Sequence, residues 1–390
     1  MACYILSNNN RFYAAIEENY GSIPEISEEH RIPAIRLAAD QRTVRVERRD
    51  KTGSRTFAGY PAGLRRQTAF HLRTYLTSWT DHEREPLHGA LIRSCLGGDA
   101  MTHQGGIVAQ SSGGRTIECA APHGLVPGQA VAFGGEMRFV EALVDDHTFQ
   151  LNAPFTFEPT PGSPLGTTTT YSLSSRLGSV SVFDYWSPAE SVQRILRGAS
   201  VDRMTVRVNG DFHEFDFSGP AADLIDNTSF ESGQAGLTSF PAEPPVTQLD
   251  YSLIPGHLGQ VWLGTSPDRF FTLTEGELQI DNNIDARNRE FGFTGTRCIV
   301  PGPRSVTLNF ALYGQDSEAT KALYQAARQR SPISAMLQLG EQSGQLFGIY
   351  MKSIVPEVPV FDDSDNRLQW RFSGCRAQGW SDDELFFAFG

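Results

Sequence analysis

The feature that most constrains the fold of this 390-residue chain is an internal repeat. A G-x-R-x-x-T motif, followed by apolar residues at alternate positions, begins at Gly63 and again at Gly302. An aromatic-x-Phe-Ser-Gly motif ends at Gly219 and again at Gly374. Because self-similarity along a chain is typical of repeated structural units, the sequence predicts two copies of one fold.

The same order of elements is predicted in both copies. Apolar side chains at every second position mark a strand after each G-x-R motif. Helical spacing of apolar residues predicts helices over 86–97 and 316–332. The dipeptide Asn209-Gly210 predicts a hairpin near the end of the first copy, and a second hairpin is expected over 356–374. These elements indicate a mainly β fold with flanking helices (α+β), made of two tandem β-sandwich domains with long arms.

The spacing of the motifs locates an insertion in the first copy. The glycines that begin the G-x-R motifs are 302 − 63 = 239 residues apart, but those that end the Phe-Ser-Gly motifs are only 374 − 219 = 155 apart. Strand signals with Gly-, Pro- and Thr-rich edges fill 105–171, which predicts a small all-β module set in a loop. The chain then divides into a discontinuous first domain, the inserted module, a linker and a second domain: residues 1–104 with 172–223, 105–171, 224–256 and 257–390.

A polar, arginine-bearing arm precedes each G-x-R motif. The first, RTVRVERRDKTGSRTF over 42–57, reads as a hairpin turned at Lys51-Thr52-Gly53. It has no apolar residue between Val46 and Phe57, and a two-stranded hairpin without packing is poorly stable. We therefore expect both arms to gain order against another surface. The residues assigned to these contacts are Arg42, Arg45, Arg48, Arg49, Lys51 and Arg55 in the first arm and Asp281, Asp285, Arg287, Arg289 and Arg297 in the second.

The net charge of −12 argues against a protein that grips nucleic acid over its whole surface. It also suggests that the surface complementary to the basic arms is another copy of this chain. A head-to-tail contact that does not close on itself builds a filament, and exposed sheet edges can pair laterally into a ring.

No motif predicts an active site, a metal site or a cofactor. Five widely spaced cysteines without a C-x-x-C favour neither a disulfide framework nor a zinc site. Asp281 and Asp285 are an alternative pair of catalytic carboxylates, but a solvated arm is the favoured interpretation. No apolar run approaches the roughly 20 residues that cross a bilayer, so we expect no membrane insertion. The first residues lack the pattern of a signal peptide, so export by that route is not expected.

With these features the chain resembles the major tail tube proteins of long-tailed bacteriophages. The segments RRDKTGSRTF, SVFDYWSP, VNGDFHEFDFSGPA and LYQAARQRSP are typical of such proteins. The tube domain of that family is a β-sandwich with a flanking helix and a long arm that reaches towards the neighbouring ring. A duplicated version resembles the minority in which three chains build a pseudo-sixfold ring. The insert resembles the small β modules that decorate virion surfaces.

The resemblance implies a structural, non-enzymatic virion protein, assembled in the host cytoplasm into stacked homotrimeric rings that conduct the genome. The implied partners are the chain itself, the tape measure protein and genomic DNA in the lumen, and the tail terminator and distal tail proteins at the ends. Because phosphates would adhere to a basic lining, unpaired carboxylates are expected in the bore. The alternatives are a distal tail or tube-capping ring component and, less favoured, a carbohydrate-binding β-sandwich protein.

Overall fold

The computed structural model describes residues 4–46, 49–57, 59–60, 63–188, 191–265, 268–364 and 366–390. Strands take 46% of the chain and helices 7%, so the fold is mainly β, as the sequence predicted. The strands and α-helices are numbered in chain order below. Short 3₁₀ turns lie at Glu28–His30 and Gln234–Gly236.

Three stretches of chain contain these elements. Up to the insert they are β1 (Asn10–Ile16), β2 (Arg31–Ile32), β3 (Ala34–Thr43), β4 (Arg66–Tyr75) and α1 (Gly89–Leu96). Around and after the insert they are β5 (Gly97–His103), β6 (Gly106–Ser112), β7 (Thr116–Cys119), β8 (Ala130–Phe133), β9 (Glu136–Leu143), β10 (Thr148–Leu151), β11 (Pro164–Leu165), β12 (Thr168–Leu173), β13 (Val180–Trp186), β14 (Arg194–Ala199), β15 (Arg203–Val208), β16 (Glu214–Ala221) and β17 (Asp223–Asp226). The remainder are β18 (Gly259–Gly264), β19 (Asp268–Phe270), β20 (Leu273–Asp281), β21 (Asp285–Arg287), β22 (Cys298–Val300), β23 (Ser305–Tyr313), α2 (Glu318–Gln329), β24 (Ile333–Leu339), β25 (Phe347–Val355), β26 (Val360–Asp362), β27 (Gln369–Ala377) and β28 (Phe386–Phe389).

The strand pairings of the first half of the chain recur in the second half. Strand β13 pairs with β1 and β14, and β4 pairs with β3 and β16. In the same way β24 pairs with β18 and β25, and β23 pairs with β20 and β27. We call β1–β4, α1 and β13–β17 the first repeat, and β18–β20, β23, α2 and β24–β28 the second repeat.

Local signals in the sequence account for the helices and hairpins. Helix α1 ends where Gly97 adopts the left-handed conformation (φ 84°), and the Ser317 side chain caps α2 by accepting the N–H of Thr320. Both helix predictions are confirmed, although α1 begins three residues after Pro86. Asn209, with φ 65°, turns the hairpin β15–β16, and β26 pairs with β27, so both predicted hairpins are present.

The two repeats meet through β15 and β20, which pair edge to edge. Eight strands therefore form a continuous run in the order β3-β4-β16-β15-β20-β23-β27-β26. Met204 lies opposite Ile280 in this junction, and both side chains are fully buried in a core that extends through both repeats. On the outer face Arg203 and Asp281 form an ion pair at 2.6 Å.

The insert forms its own sheet, with strand order β11-β6-β7-β10-β9-β8. Strands β5 and β12 connect it to the rest of the chain, and β12 also pairs with β28 of the second repeat. Met137 and Phe139 of the insert share an apolar cluster with Trp262 and Tyr350. The module therefore belongs to the first repeat by sequence but packs against the second.

Arg138 fixes this contact because its guanidinium is completely buried. It donates to the carbonyl of Pro154 at 2.9 Å, to the side chain of Gln260 at 3.1 Å and to Glu136 at 3.2 Å. It also lies 4.8 Å from the centre of the Trp262 ring. Burial lowers the pKa of Arg138 to about 10.

The segment after β17 lies along the first repeat. Arg11 binds Glu243 through two nitrogens at 2.5 and 2.7 Å, and the Tyr185 hydroxyl donates to the carbonyl of Pro241 at 3.0 Å. Farther on, the N–H of Ser78 donates to the carbonyl of Ser252 at 2.9 Å. These contacts hold much of 224–256 on the surface of the repeat that precedes it.

The prediction of a separate two-stranded hairpin within 42–57 is wrong. Residues 44–46 and 49–57 contain no strand, and Arg48 lies outside the described residues. The hairpin is instead β3–β4, and 44–65 is its connection, here called the first arm loop. The matching connection, 282–304 between β20 and β23, is called the second arm loop, and it contains the short ribbon β21–β22. An exposed ribbon without a buried face lacks the packing that would stabilise it, which explains the difference.

Candidate assembly surfaces

The first candidate surface is the outer edge of β3. Within the described part of the chain β3 pairs only with β4. The N–H of Val44 donates to the opposite carbonyl of Arg65 at 2.7 Å. Since hydrogen bonding alternates along an antiparallel pair, the N–H of Ala39 points away from β4 and towards solvent.

The edge of the second repeat that corresponds to β3 is already paired. The phenylalanines of the two Phe-Ser-Gly motifs lead through their strand partners to Leu37 in β3 and to Gly276 in β20. Two residues farther along each strand, Leu278 is therefore the equivalent of Ala39. The N–H of Asn282 donates to the opposite carbonyl of Asp202 at 2.8 Å, so the N–H of Leu278 points towards β15. The backbone that is exposed in the first repeat is therefore hydrogen-bonded in the second.

The second candidate surface is the edge formed by β26 and the residues before it. β26 corresponds to β15 and, among the described residues, pairs only with β27. Val360 is 67% exposed and Phe361 52% exposed. Pro359 occupies the position of Met204, so it offers a carbonyl but no N–H at this edge. An exposed apolar edge of this kind is a surface on which another strand can pair.

The first arm loop carries four of the eight arginines assigned from the sequence. Arg42 precedes it and binds Asp40 in the same strand at 2.6 Å. Arg45 lies 5.9 Å from the centre of the Tyr60 ring, and Tyr60 packs edge-on against Phe57 with 4.9 Å between the ring centres. The side chains of Arg49, Lys51 and Arg55 are exposed.

The second arm loop carries the other predicted residues. Asp281, at its base, accepts from Arg203 at 2.6 Å, so this carboxylate serves the junction between the repeats. Asp285 and Arg287 lie exposed in β21, and the side chain of Arg289 is exposed as well. Arg297 binds Glu290 at 3.2 Å and stacks on a neighbouring phenylalanine ring.

A network of ion pairs covers the outer face of the eight-stranded run. Arg73 binds Glu214, and this hydrogen bond raises the pKa of the guanidinium. Arg207 lies 2.9 Å from Asp216. On the other side of the junction, within the second repeat, Arg371 lies 2.8 Å from Glu275. Arginines and carboxylates therefore alternate over both repeats on this face.

Sequence reasoning did not identify the edge at β26 as a contact surface. The signal was the apolar run Val358-Pro359-Val360-Phe361, which precedes a predicted turn and has no polar alternation. It also did not single out Arg138, because an arginine inside the strand EMRFV reads as an exposed position. Only the tertiary contact with the second repeat makes that position buried.

The candidate surfaces are therefore two sheet edges, two arm loops and one ion-paired sheet face. Within the described ranges, no three His, Cys, Asp or Glu side chains are grouped so that they could hold a metal ion. None of the helices in that part of the chain has the length and apolar character needed to span a bilayer. Comparison with protein-family models gives no match, and a search of curated protein sequences gives no significant relative.

Proposed function

We propose that this chain is a structural subunit of a bacteriophage tail tube, which assembles with copies of itself into closed rings that stack into a conduit for genome ejection. The observation that carries the proposal is the junction between β15 and β20. It joins the repeats edge to edge and leaves the matching edges, β26 and β3, at the two ends of the same run of strands. A second copy can therefore extend the sheet by the contact that the chain already uses internally.

The proposed contact between copies is antiparallel pairing of β3 with 358–362. The register of the internal junction places Val206 opposite Leu278, so Phe361 of one copy lies opposite Ala39 of the next. The internal junction between β15 and β20 already uses this register and this strand direction, and that precedent favours this partner and this direction.

In this proposal each repeat is one β-sandwich domain, and the sheet around β1 packs on the sheet around β4. A contact that is repeated in one direction closes into a ring when the rotation between neighbours divides a full turn. The chain itself is the main partner. The tape measure protein and DNA would occupy the bore, and terminator and distal tail proteins the ends.

The ion-paired face of the run would line the bore. The opposite face of the same strands packs on the core, with Leu72 and Phe217 fully buried. In each repeat the other sheet of the sandwich, the helix and, in one case, the insert lie on the far side of that core. They need the larger circumference on the outside of the closed ring of strands. The bore that follows has arginines held by carboxylates, which changes the expectation of unpaired carboxylates into one of a charge-paired lining.

The test of this proposal is Ala39→Pro. Proline removes the N–H that points outward and keeps the pairing with β4, so the monomer should fold while assembly is lost. The control is Ala39→Val, which keeps the N–H and favours a strand. Sedimentation and negative-stain imaging of the purified proteins should show rings or tubes for the unmodified chain and Ala39→Val, and monomers for Ala39→Pro.

Two outcomes would contradict the proposal. The first is an unmodified chain that stays monomeric at high concentration and with tail-initiating proteins present. The second is an Ala39→Pro chain that forms particles as readily as Ala39→Val.

A further inference from the structure

The second arm loop rests in a groove on the first repeat. The N–H of Arg66 donates to the carbonyl of Thr294 at 2.6 Å, and the Arg65 guanidinium donates to the carbonyl of Arg289 at 3.1 Å. The loop comes so close that a Cβ on Gly295 would lie 3.1 Å from the carbonyl oxygen of Ala222. This is an arm docked on the repeat next to its own.

Charged side chains mark the floor of this groove. Asp223 lies 3.8 Å from Arg66 and 3.9 Å from Arg197. Together with Ala222 they line the space beneath residues 292–296 of the second arm loop.

The second repeat has the same groove in the equivalent place. Counting along the pairings, Arg304, Lys352 and Glu384 take the positions of Arg66, Arg197 and Asp223. Arg304 lies 2.9 Å from Glu384, so the central ion pair is kept. This groove has a volume of about 730 Å³, and apart from Arg304, the last residue of the second arm loop, none of the described arm residues lines it.

The rim of the second groove carries an addition that the first groove lacks. Ala222 is followed directly by Asp223, whereas Ala377 is separated from Glu384 by the loop 378–383. The carboxylate of Asp383 accepts two backbone N–H groups of this loop, including that of Trp380 at 2.8 Å. The loop is thereby held, yet the Trp380 side chain is fully exposed. A fixed, exposed tryptophan beside a groove is typical of a contact that a partner buries.

The first arm loop has the side chains that such a groove would bury. Val46 is 58% exposed, Phe57 62% and Tyr60 47%. Its arginine-over-aromatic contact, Arg45 on Tyr60, resembles the contact of Arg297 on an aromatic ring in the docked second arm loop. Both arm loops also connect the outermost strand of the β4-type sheet of their own repeat, β3 or β20, to the strand beside it, β4 or β23.

We propose that the first arm loop of one copy lies in the groove of the second repeat of another copy, between Arg304 and Trp380. The proposal rests on the proposed function, because it needs the pairing of β3 with 358–362. Within the chain, the pairing of β20 with β15 places the second arm loop over the groove of the first repeat. The equivalent pairing of β3 with 358–362 between copies would place the first arm loop over Ala377. The contact is lateral, within a ring, and differs from the reach between stacked rings expected from the sequence.

The test is cross-linking in assembled particles of the chain carrying Tyr60→Cys and Ala377→Cys, treated with a short bis-maleimide. The expected product is a ladder of covalent species that ends at the number of chains in one ring. The matched control is Tyr60→Cys with Ala222→Cys, since the second arm loop already covers Ala222 and no ladder should form. The two parents that carry only one of the introduced cysteines report the background from the native thiols, among them Cys298, which is partly exposed.

Each outcome of this experiment decides the contact. Assembled particles without a ladder would overturn it, because the arm would lie elsewhere while the rings remained. A ladder that continues beyond one ring would also overturn it, because it would place the arm between rings. If the unmodified chain forms no particles, the proposed function fails, and the arm contact fails with it.

A second measurement uses the exposed tryptophan. Trp380→Ala should leave the monomer's thermal unfolding unchanged but raise the protein concentration needed for assembly about tenfold or more. The control is Phe291→Ala, which removes an equally exposed aromatic from the second arm loop and should leave that concentration unchanged. Equal assembly by both variants would contradict a role for the rim of the second groove.

Discussion

The two repeats share their main strand pairings, yet within the described residues only the second repeat has its edge strand and arm loop covered. Strand β20 pairs with β15, and the second arm loop lies on the first repeat. Strand β3 has the same place in its own repeat, but within the described residues nothing pairs with its outer side. In the second repeat the edge strand and the arm loop are covered together, by the same neighbouring repeat. The proposed contact between copies would cover the matching edge and arm loop of the first repeat in the same way.

The largest effect is expected from the same substitution at equivalent positions. Leu278→Pro removes an N–H that faces β15 and a side chain that is 1% exposed, at a cost of about 2–5 kcal/mol for the leucine alone. Ala39→Pro removes only an N–H that faces solvent. Urea unfolding should therefore show a strongly destabilised or insoluble Leu278→Pro chain and a nearly unchanged Ala39→Pro monomer. Similar unfolding midpoints for the two variants would contradict the equivalence of the edges.

The next effect concerns the insert, which crosses from one repeat to the other. Arg138→Met leaves Glu136 buried without its cation, and such a loss costs about 3–5 kcal/mol. Arg115→Met in the same module breaks an exposed ion pair with Glu141 and should cost less than about 1 kcal/mol. Denaturant unfolding of both variants checks this. A small loss at Arg138 would mean that the module is not anchored through this network.

Local structure could be predicted from the sequence because its signals are local. The Asn209-Gly210 turn needs a left-handed residue that asparagine tolerates, and Ser317 caps a helix that the apolar spacing already indicated. The recurrence of motifs also predicted that the elements come twice in the same order. These features depend on residues within a few positions of one another.

The contacts between repeats could not be predicted in the same way. Alternation along β20 gives two faces but not the strand that lies beside it, and nothing near Leu278 names β15 as its neighbour. The buried position of Arg138 depends on residues more than a hundred positions away. The arms were recognised by their arginines, but their sequence does not say which of them is docked within the chain.

A moderate, pH-dependent effect on the free energy of unfolding is expected from the residue before α1. His88 occupies the place that Ser317 has before α2, and burial lowers the pKa of its imidazole to about 4. Since the unfolded chain takes up a proton near pH 6.5, the stability is complete above that pH and falls as the pH drops towards 4. The loss from this group reaches roughly 3 kcal/mol. His88→Asn should flatten this part of the pH profile of the unfolding free energy, and an unchanged slope would contradict it.

The smallest effect on stability, and the most direct comparison of the two polar faces, comes from removing paired carboxylates. Glu214→Gln with Asp216→Asn takes both close partners from Arg73 in the first repeat. Glu275→Gln with Asp362→Asn does the same to one arginine, Arg371, in the second. These pairs are partly exposed, so each double variant should lower the free energy of unfolding by only about 1 kcal/mol.

The informative measurement on these two variants is their affinity for duplex DNA. If both polar faces line one bore, each double variant adds the same charge to the same surface. Assembled particles of both should then bind duplex DNA more tightly than the unmodified chain. The logarithm of the binding constant should fall more steeply with the logarithm of salt concentration, by about one unit for each freed arginine that meets a phosphate. A response from only one repeat would mean that the other faces away from the DNA, and the two repeats would then not be equivalent around the bore.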